Sequence, residues 1–163
     1  MAKKREQSAG TPATTALTRA GVEFGVHPYD HDPGAASYGL EAAEALGVPA
    51  AQVFKTLLVD SGSALAVGVV PVDRQLDLKA VAAALGWKKA AMAEPAAAER
   101  STGYVVGGIS PIGQKRALPT VLDASAQSFD RIYVSGGRRG LDLSLAAHDL
   151  VRATKATVAD IAR

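Results

Sequence analysis

The chain has 163 residues, 48% hydrophobic and 21% charged, with a formal net charge of +2. That length supports one domain with a sizeable core, and two net charges exclude tight nonspecific nucleic-acid binding driven by charge alone. The lack of cysteine excludes a disulfide, a thiolate nucleophile and a cysteine-held metal.

Residues 1–10 are basic and have no apolar centre, so they read as a disordered tail rather than a secretory signal or membrane anchor. No apolar run reaches membrane-spanning length, and a cytoplasmic location is expected. Residues 11–163 read as one α/β domain. Thr11-Pro12 predicts a helix start, with Ala16, Leu17 and Ala20 at helical spacing and Gly21 as the stop. Val22, Phe24 and Val26 alternate and predict a strand ending at His27-Pro28. The polar cluster His27 to Pro33 holds two histidines and two aspartates, but its two prolines prevent a regular helix and no third histidine is near. A polar loop is therefore expected, with no metal; Tyr29 offers a flat face and a hydroxyl to a pocket.

Tyr38 to Leu46 predicts a helix with Leu40, Ala43 and Leu46 on one side, ended by Gly47-Val48-Pro49. Gln52 to Val59 predicts a buried strand with a lysine near its middle. Alternation puts Val53, Lys55, Leu57 and Val59 on one face and Phe54, Thr56 and Leu58 on the other. A lysine there must snorkel, lose its proton, or hold an anion or polar substrate. A turn at Ser61-Gly62-Ser63 leads to the apolar run Ala64 to Val70. Asp77 is placed to cap a helix through Leu85, with Leu78, Val81, Ala82 and Leu85 inward and Gly86 as terminator. Trp87, beside Lys88-Lys89, either packs half-buried or stacks on a base.

Glu94-Pro95 opens a short helix to Arg100, with Ser101-Thr102-Gly103 as its exit and Tyr104 to Val106 as a brief strand. Gly107-Gly108-Ile109-Ser110-Pro111-Ile112-Gly113 forms a loop open to close approach of a substrate, or else an ordinary turn. Strands are expected at Thr120–Leu122 and Asp130–Val134, followed by a second glycine-rich loop, Ser135 to Gly140, that lacks the ending of a P-loop. Leu141, Leu143 and Leu145 alternate with Asp142 and Ser144 as a strand with one wet face, Asp142 being a candidate pocket wall. A last helix starts near Ala147 with Leu150 and Val151 inward.

Five stretches then combine: Val53-Phe54-Lys55-Thr56-Leu57, Gln75-Leu76-Asp77-Leu78-Lys79, Arg100-Ser101-Thr102-Gly103-Tyr104, Gly107-Gly108-Ile109-Ser110-Pro111 and Tyr133-Val134-Ser135-Gly136-Gly137. With the closing Ala159 to Arg163, they resemble the YbaK/EbsC family over about residues 11–163, in motif order. Type members of that family are free-standing Cys-tRNA(Pro) deacylases, related to the editing domain of bacterial prolyl-tRNA synthetases. The resemblance implies a mixed, strongly curved sheet with flanking helices. It implies trans-editing in which cysteine is removed from mischarged tRNA(Pro), with Cys-tRNA(Cys) left open as a second substrate and prolyl-tRNA synthetase as a transient partner. It further implies Lys55 as the key residue, and Tyr29, Thr56, the Gly107-Gly108 loop, Ser135 and Asp142 as the pocket around it. No cofactor is implied.

With no cysteine, and no serine beside an obvious histidine–acid pair, an acyl-enzyme is disfavoured. The resemblance implies instead that the bound cysteine's own sulfur attacks its carbonyl. Lys55, with N–H groups of Gly107 and Gly108, is expected to hold the terminal nucleotide or the carbonyl, and Ser135 and Asp142 to orient the amino group and ribose. Lys88, Lys89, Lys115, Arg116, Arg138 and Arg139 are candidate phosphate contacts. Competing readings are a related deacylase that clears Ala-tRNA(Pro) or another mischarged tRNA by water attack, and a module that binds an aminoacylated end or a synthetase without cleavage.

Overall fold

The computed structural model describes residues 10–163, so the expected tail lies outside the described residues apart from Gly10. Helix α1 (Pro12–Arg19) starts on a reciprocal cap: the Thr11 hydroxyl accepts from the Thr14 N–H, and the Thr14 hydroxyl accepts from the Thr11 N–H. Ala13, Thr14 and Leu17 are buried, while Ala20, at helical spacing with Leu17, is exposed. Strand β1 (Gly25–Pro28) begins later than expected because Val22 is used to finish the helix, its N–H donating to Leu17 O at 3.1 Å. Helix α2 (Tyr38–Leu46) is capped by Ser37 and ended by Gly47 at φ +68°, and it turns Ala42 and Ala43 inward and leaves Leu40 47% exposed.

Gln52 belongs to a short 3-10 turn, Ala50–Gln52, ahead of β2 (Phe54–Asp60). Strand β2 pairs antiparallel with β3 (Leu65–Pro71) in an unbroken register from Phe54–Pro71 to Asp60–Leu65, closed by a turn with Gly62 at φ +102°. Asp77 caps α3 (Leu78–Leu85) by accepting from the Ala80 N–H at 3.0 Å. There follow β4 (Ala91–Met92), α4 (Pro95–Thr102), β5 (Thr120–Asp123), β6 (Ile132–Arg138), β7 (Leu141–Leu145), α5 (Ala147–Thr154) and β8 (Thr157–Ala159).

The strands form a mixed five-stranded sheet in the order β4-β2-β3-β5-β8, whose β3–β5 and β5–β8 pairs are parallel, and an antiparallel sheet β1-β7-β6. A parallel bridge, Val53–Tyr133, joins the two ladders, so the mixed sheet of the expectation is present in two segments. The main core lies between them: Phe54, Leu58, Val69 and Leu122 meet Ile132, Val134, Leu143 and Leu145, with Leu17 and Leu150 from the helices. Val59, Val70 and Val121 pack on the other face with Leu76, Val81 and Ile161, and Trp87 takes its half-buried packing role there. Thus β2 is apolar on both sides, and each fully buried aliphatic or aromatic side chain contributes about 1.5–3 kcal/mol.

Four further expectations change. Tyr104–Val106 is loop rather than strand: the buried Tyr104 donates its hydroxyl hydrogen to Ile112 O at 2.7 Å, and no neighbouring strand pairs with it. Helix α4 extends through Ser101 and Thr102, whose hydroxyl donates back to Ala98 O at 2.8 Å. Ser135 to Arg138 continues β6 through an irregular register, and only Arg139 and Gly140 form the turn. Gly136 and Gly137 serve packing there: added Cβ atoms would stand 2.7 Å from Leu141 and 2.8 Å from the Tyr104 ring. Strand β7 has no wet face, since all five residues are buried between β1 and β6.

Candidate active site

A cavity of about 410 Å³ opens where β2, the β6–β7 hairpin, α2 and the glycine loop meet. Its volume lies within the usual range for small-molecule sites. Six consecutive residues of one strand region, Val53 to Leu58, line it. That resolves how Lys55 and Thr56, on opposite faces of a regular strand, share one site. The β4 strand pairs only with Val59 and Asp60, the Ala93 N–H reaches Leu58 O at 3.0 Å, and Val53 is bridged to Tyr133, so the edge of β2 from Phe54 to Leu57 is left unpaired beside the cavity, where residues of both faces can border it.

Tyr29, Ser135 and Asp142 close the opposite wall. Ser135 and Asp142 are direct partners across β6 and β7. The Asp142 side chain is 5% exposed and takes no hydrogen bond from any described residue; burial raises its carboxyl from 3.8 to about 7. Tyr29 is pushed up to about 12, by burial first and then by the Asp142 and Glu41 charges, so its phenol stays protonated. The Ser135 hydroxyl accepts from the Gly137 N–H at 3.2 Å.

The Lys55 ammonium has no hydrogen bond or ion pair among the described residues. Burial lowers its pKa, and the Asp73 charge works against that. Thr56 Oγ1 is fully buried without a hydrogen-bond partner. An unmatched hydroxyl, carboxyl and ammonium around one cavity cost stability, which is the pattern of groups reserved for a ligand. The remaining wall is apolar: Leu57, Leu58, Met92, Ala93, Pro95, Ala98 and Ile109.

The glycine loop contributes unequally. Gly107 lines the cavity, and its N–H has no acceptor among the described residues. Gly108 does not line it; its N–H donates to Val105 O at 2.8 Å, and a Cβ there would stand 2.7 Å from the Arg138 backbone. Gly108 is therefore a packing glycine, and the expected pair of backbone donors reduces to one. The histidines of the polar cluster take separate partners: His27 Nε2 lies 2.8 Å from Ser144 Oγ, and His31 Nδ1 lies 2.7 Å from Glu41 Oε1. No group of three or more His, Asp or Glu side chains converges as a metal site among the described residues. Among those residues, no helix is long and apolar enough to cross a membrane.

The model of the aminoacyl-tRNA editing domain family matches residues 32–153. This chain belongs to that family. The matched span carries every cavity residue named above except Tyr29. A relative from Enterococcus faecalis, assigned as the Cys-tRNA(Pro)/Cys-tRNA(Cys) deacylase EbsC, is 41% identical over 120 residues, covering 73% of each chain. Among solved structures, the hypothetical protein APE2540 superposes with a TM-score of 0.84 at 27% identity, covering 94% of this chain and all of the other. A protein assigned as a trans-editing enzyme for prolyl-tRNA synthetase superposes at 0.80 and 24% identity, covering 93% and 95%, and shares the fold.

In this editing domain Lys55, Tyr29, Asp142 and Gly107, singled out from the residues, and Thr56 and Ser135, added by the resemblance, all line one cavity. It missed Tyr38, Val106 and Met92 as lining residues. An aromatic at the first turn of a helix is the signal that could have pointed to Tyr38, whereas the exposure of Met92, 49%, emerges only from the fold. Arg139, a candidate phosphate contact, is exposed and donates from Nε and Nη2 to Val106 O at 2.9 and 2.7 Å. Lys88, Lys89, Lys115 and Arg116 are exposed.

Proposed function

We propose that this editing domain acts in trans as a deacylase, removing cysteine from mischarged Cys-tRNA(Pro) in the cytoplasm. The observation that carries the reading is the convergence of Lys55, Thr56 and Asp142 on one cavity, with the ammonium and the buried carboxyl left without partners among the described residues. The ionised Asp142, beside Ser135, takes the substrate's α-ammonium, which supplies the charge that burial denies it. Lys55 and the Gly107 N–H hold the acyl carbonyl or the adjoining nucleotide. The apolar wall from Leu57 to Ala98 receives the side chain.

The pocket presents no protein nucleophile aligned with a histidine–acid pair, so bond cleavage falls to the substrate. The cysteine sulfur attacks its own carbonyl carbon; the new C–S bond forms as the bond to the ribose oxygen breaks. That oxygen takes up the proton lost by the thiol, and a cyclic thiolactone leaves, later opened by water to cysteine. Holding a side chain in the attacking conformer can contribute about 7–11 kcal/mol in favourable cases. Lys55 and the Gly107 N–H stabilise the charge that develops on the carbonyl oxygen.

The test is cysteine release from purified Cys-tRNA(Pro), with the first product identified by mass. Ser-tRNA(Pro) and Ala-tRNA(Pro) are run beside it. Thiolactone release and slow serine release support the reading. Equal rates for serine and cysteine would mean attack by water, and turnover of Ala-tRNA(Pro) alone would assign a different editing substrate. With few net charges, binding to tRNA is expected to be weak and to fall with salt, with tRNA selectivity supplied by a transient complex with prolyl-tRNA synthetase.

A further inference from the structure

One guanidinium ties three segments together at the edge of the cavity. Arg139, in the β6–β7 turn, donates from Nε and Nη2 to the Val106 carbonyl at 2.9 and 2.7 Å, and its guanidinium carbon lies 5.1 Å from the Tyr38 ring centre. Val105 to Gly108 form a hydrogen-bonded turn, with the Gly108 N–H on Val105 O at 2.8 Å and Gly107 at φ +89°. Lys155 alone among the described non-glycine residues has a positive φ, so Val106 has a negative one. That combination is a type II turn. Its central peptide, Val106–Gly107, can rotate as a unit; the type I alternative would put the carbonyl oxygen where the N–H now points.

A trans peptide directs its C=O and N–H to opposite sides. While Arg139 holds the Val106 oxygen, the Gly107 N–H is turned away from the guanidinium. That N–H has no acceptor among the described residues, and both residues of the peptide line the cavity. A charged donor on the carbonyl also polarises the peptide and strengthens its N–H as a donor. Glu99 secures the preceding peptide by accepting the Val106 N–H at 2.8 Å.

We propose that Arg139 is a positioning residue for the reaction: by binding the Val106 carbonyl it selects the turn in which the Gly107 N–H can donate to the substrate's carbonyl oxygen. The proposal rests on the deacylase reading above. Arg139 is exposed, so its substitution leaves the core intact. Single-turnover release of cysteine from Cys-tRNA(Pro) is measured for the wild type, for Arg139→Met and for Arg139→Ala with and without added guanidinium. Removing an oxyanion donor outright costs about 100- to 1,000-fold, so a donor left partly misdirected should lower the maximal rate about 10-fold or more. Apparent affinity should change little, and guanidinium should recover part of the rate in Arg139→Ala only. An unchanged maximal rate, or weaker affinity with the rate retained, overturns the proposal; the second result would make Arg139 a phosphate contact. The Gly107 amide resonance of the ligand-free protein is a separate readout. It should move in Arg139→Met, and a fixed resonance overturns the proposal even if no tRNA substrate is cleaved. Failure of the wild type to release cysteine sinks the deacylase reading instead.

Discussion

Replacing Asp142 by asparagine tests the central feature of the cavity, because it should stabilise the free protein while disabling it. The carboxyl is raised by burial from 3.8 to about 7. Below about pH 4 the group is neutral in both the folded and unfolded chains and costs nothing. Between about pH 4 and pH 7 the unfolded chain releases a proton that the folded protein keeps, so stability falls by about 1.36 kcal/mol per pH unit. Above about pH 7 the group is ionised in both states, and the accumulated cost levels off near about 4 kcal/mol. The amide of the variant does not titrate and carries none of this cost. The stability advantage of Asp142→Asn over wild type should therefore grow from near zero at about pH 4 to about 4 kcal/mol at about pH 8. In a domain of this size that is roughly 8–16 °C in melting temperature. The assay is a set of denaturant or thermal melts of both proteins across that range. A difference that does not change with pH would refute the argument, because it would mean that the carboxyl is not a buried neutral acid. In parallel the variant should lose about 10- to 100-fold in deacylation at low substrate, the usual worth of a hydrogen bond to a charged group. Greater stability with less activity is expected of a residue kept for function.

The other cavity residues give companion tests. Lys55→Met should fold as well as wild type, because burial already disfavours the charge, yet lose about 100-fold or more in deacylation; near-normal turnover would remove Lys55 from the mechanism. Thr56→Val keeps the shape and removes an unmatched buried hydroxyl, so it should be neutral or stabilising by about 1–3 kcal/mol in a melt, with slower turnover. Gly107→Ala forces a Cβ to 2.8 Å from the Tyr38 ring at φ +89°, and should cost about 1–3 kcal/mol and most of the activity. Adding Tyr38→Ala should relieve the ring contact but neither the 2.9 Å approach to Arg139 Nε nor the backbone strain, leaving the double variant between the two.

Local signals carried most of the helices. The Thr11 and Asp77 caps and the stops at Gly47 and Gly86 all rest on interactions within a few residues. The strand facing of β2 was legible because Phe54 and Leu58 alternate with Leu57 and Val59 between two apolar cores. What local pattern could not supply was the neighbour. Leu141 to Leu145 alternates like a half-wet strand, but β1 and β6 enclose it, and its polar positions become the buried carboxyl of the site and a partner for His27. The glycines after Ser135 looked like a loop because composition marks flexibility. They are needed in a strand because Leu141 and Tyr104 leave no room for a Cβ. Thr56 posed a contradiction in sequence, since it should face away from Lys55; only the unpaired edge of β2 resolves it.

The shape of the cavity also bears on how cysteine could be told from other small amino acids. A wall of Leu57, Met92, Pro95 and Ala98 can exclude side chains that are too large, but smaller ones still enter. One methylene in an apolar pocket is worth only about 1–3 kcal/mol, so binding alone would reject alanine or serine by a factor of about 200 at most. On the proposed reading Asp142, Lys55, Thr56 and the Gly107 N–H address atoms that all aminoacyl esters share or that any hydroxyl or thiol could satisfy. The proposed preference for cysteine would then arise in the bond-breaking step, where a thiol can attack and a methyl group cannot. A pocket without its own nucleophile is the arrangement that allows this, because a protein nucleophile placed beside the carbonyl would cleave whatever fitted. Introducing an activated nucleophile or an ordered water next to Lys55 should therefore broaden the substrate range at the expense of selectivity. Measuring alanine against cysteine release in such variants would show whether the preference lies in the chemistry or in the walls.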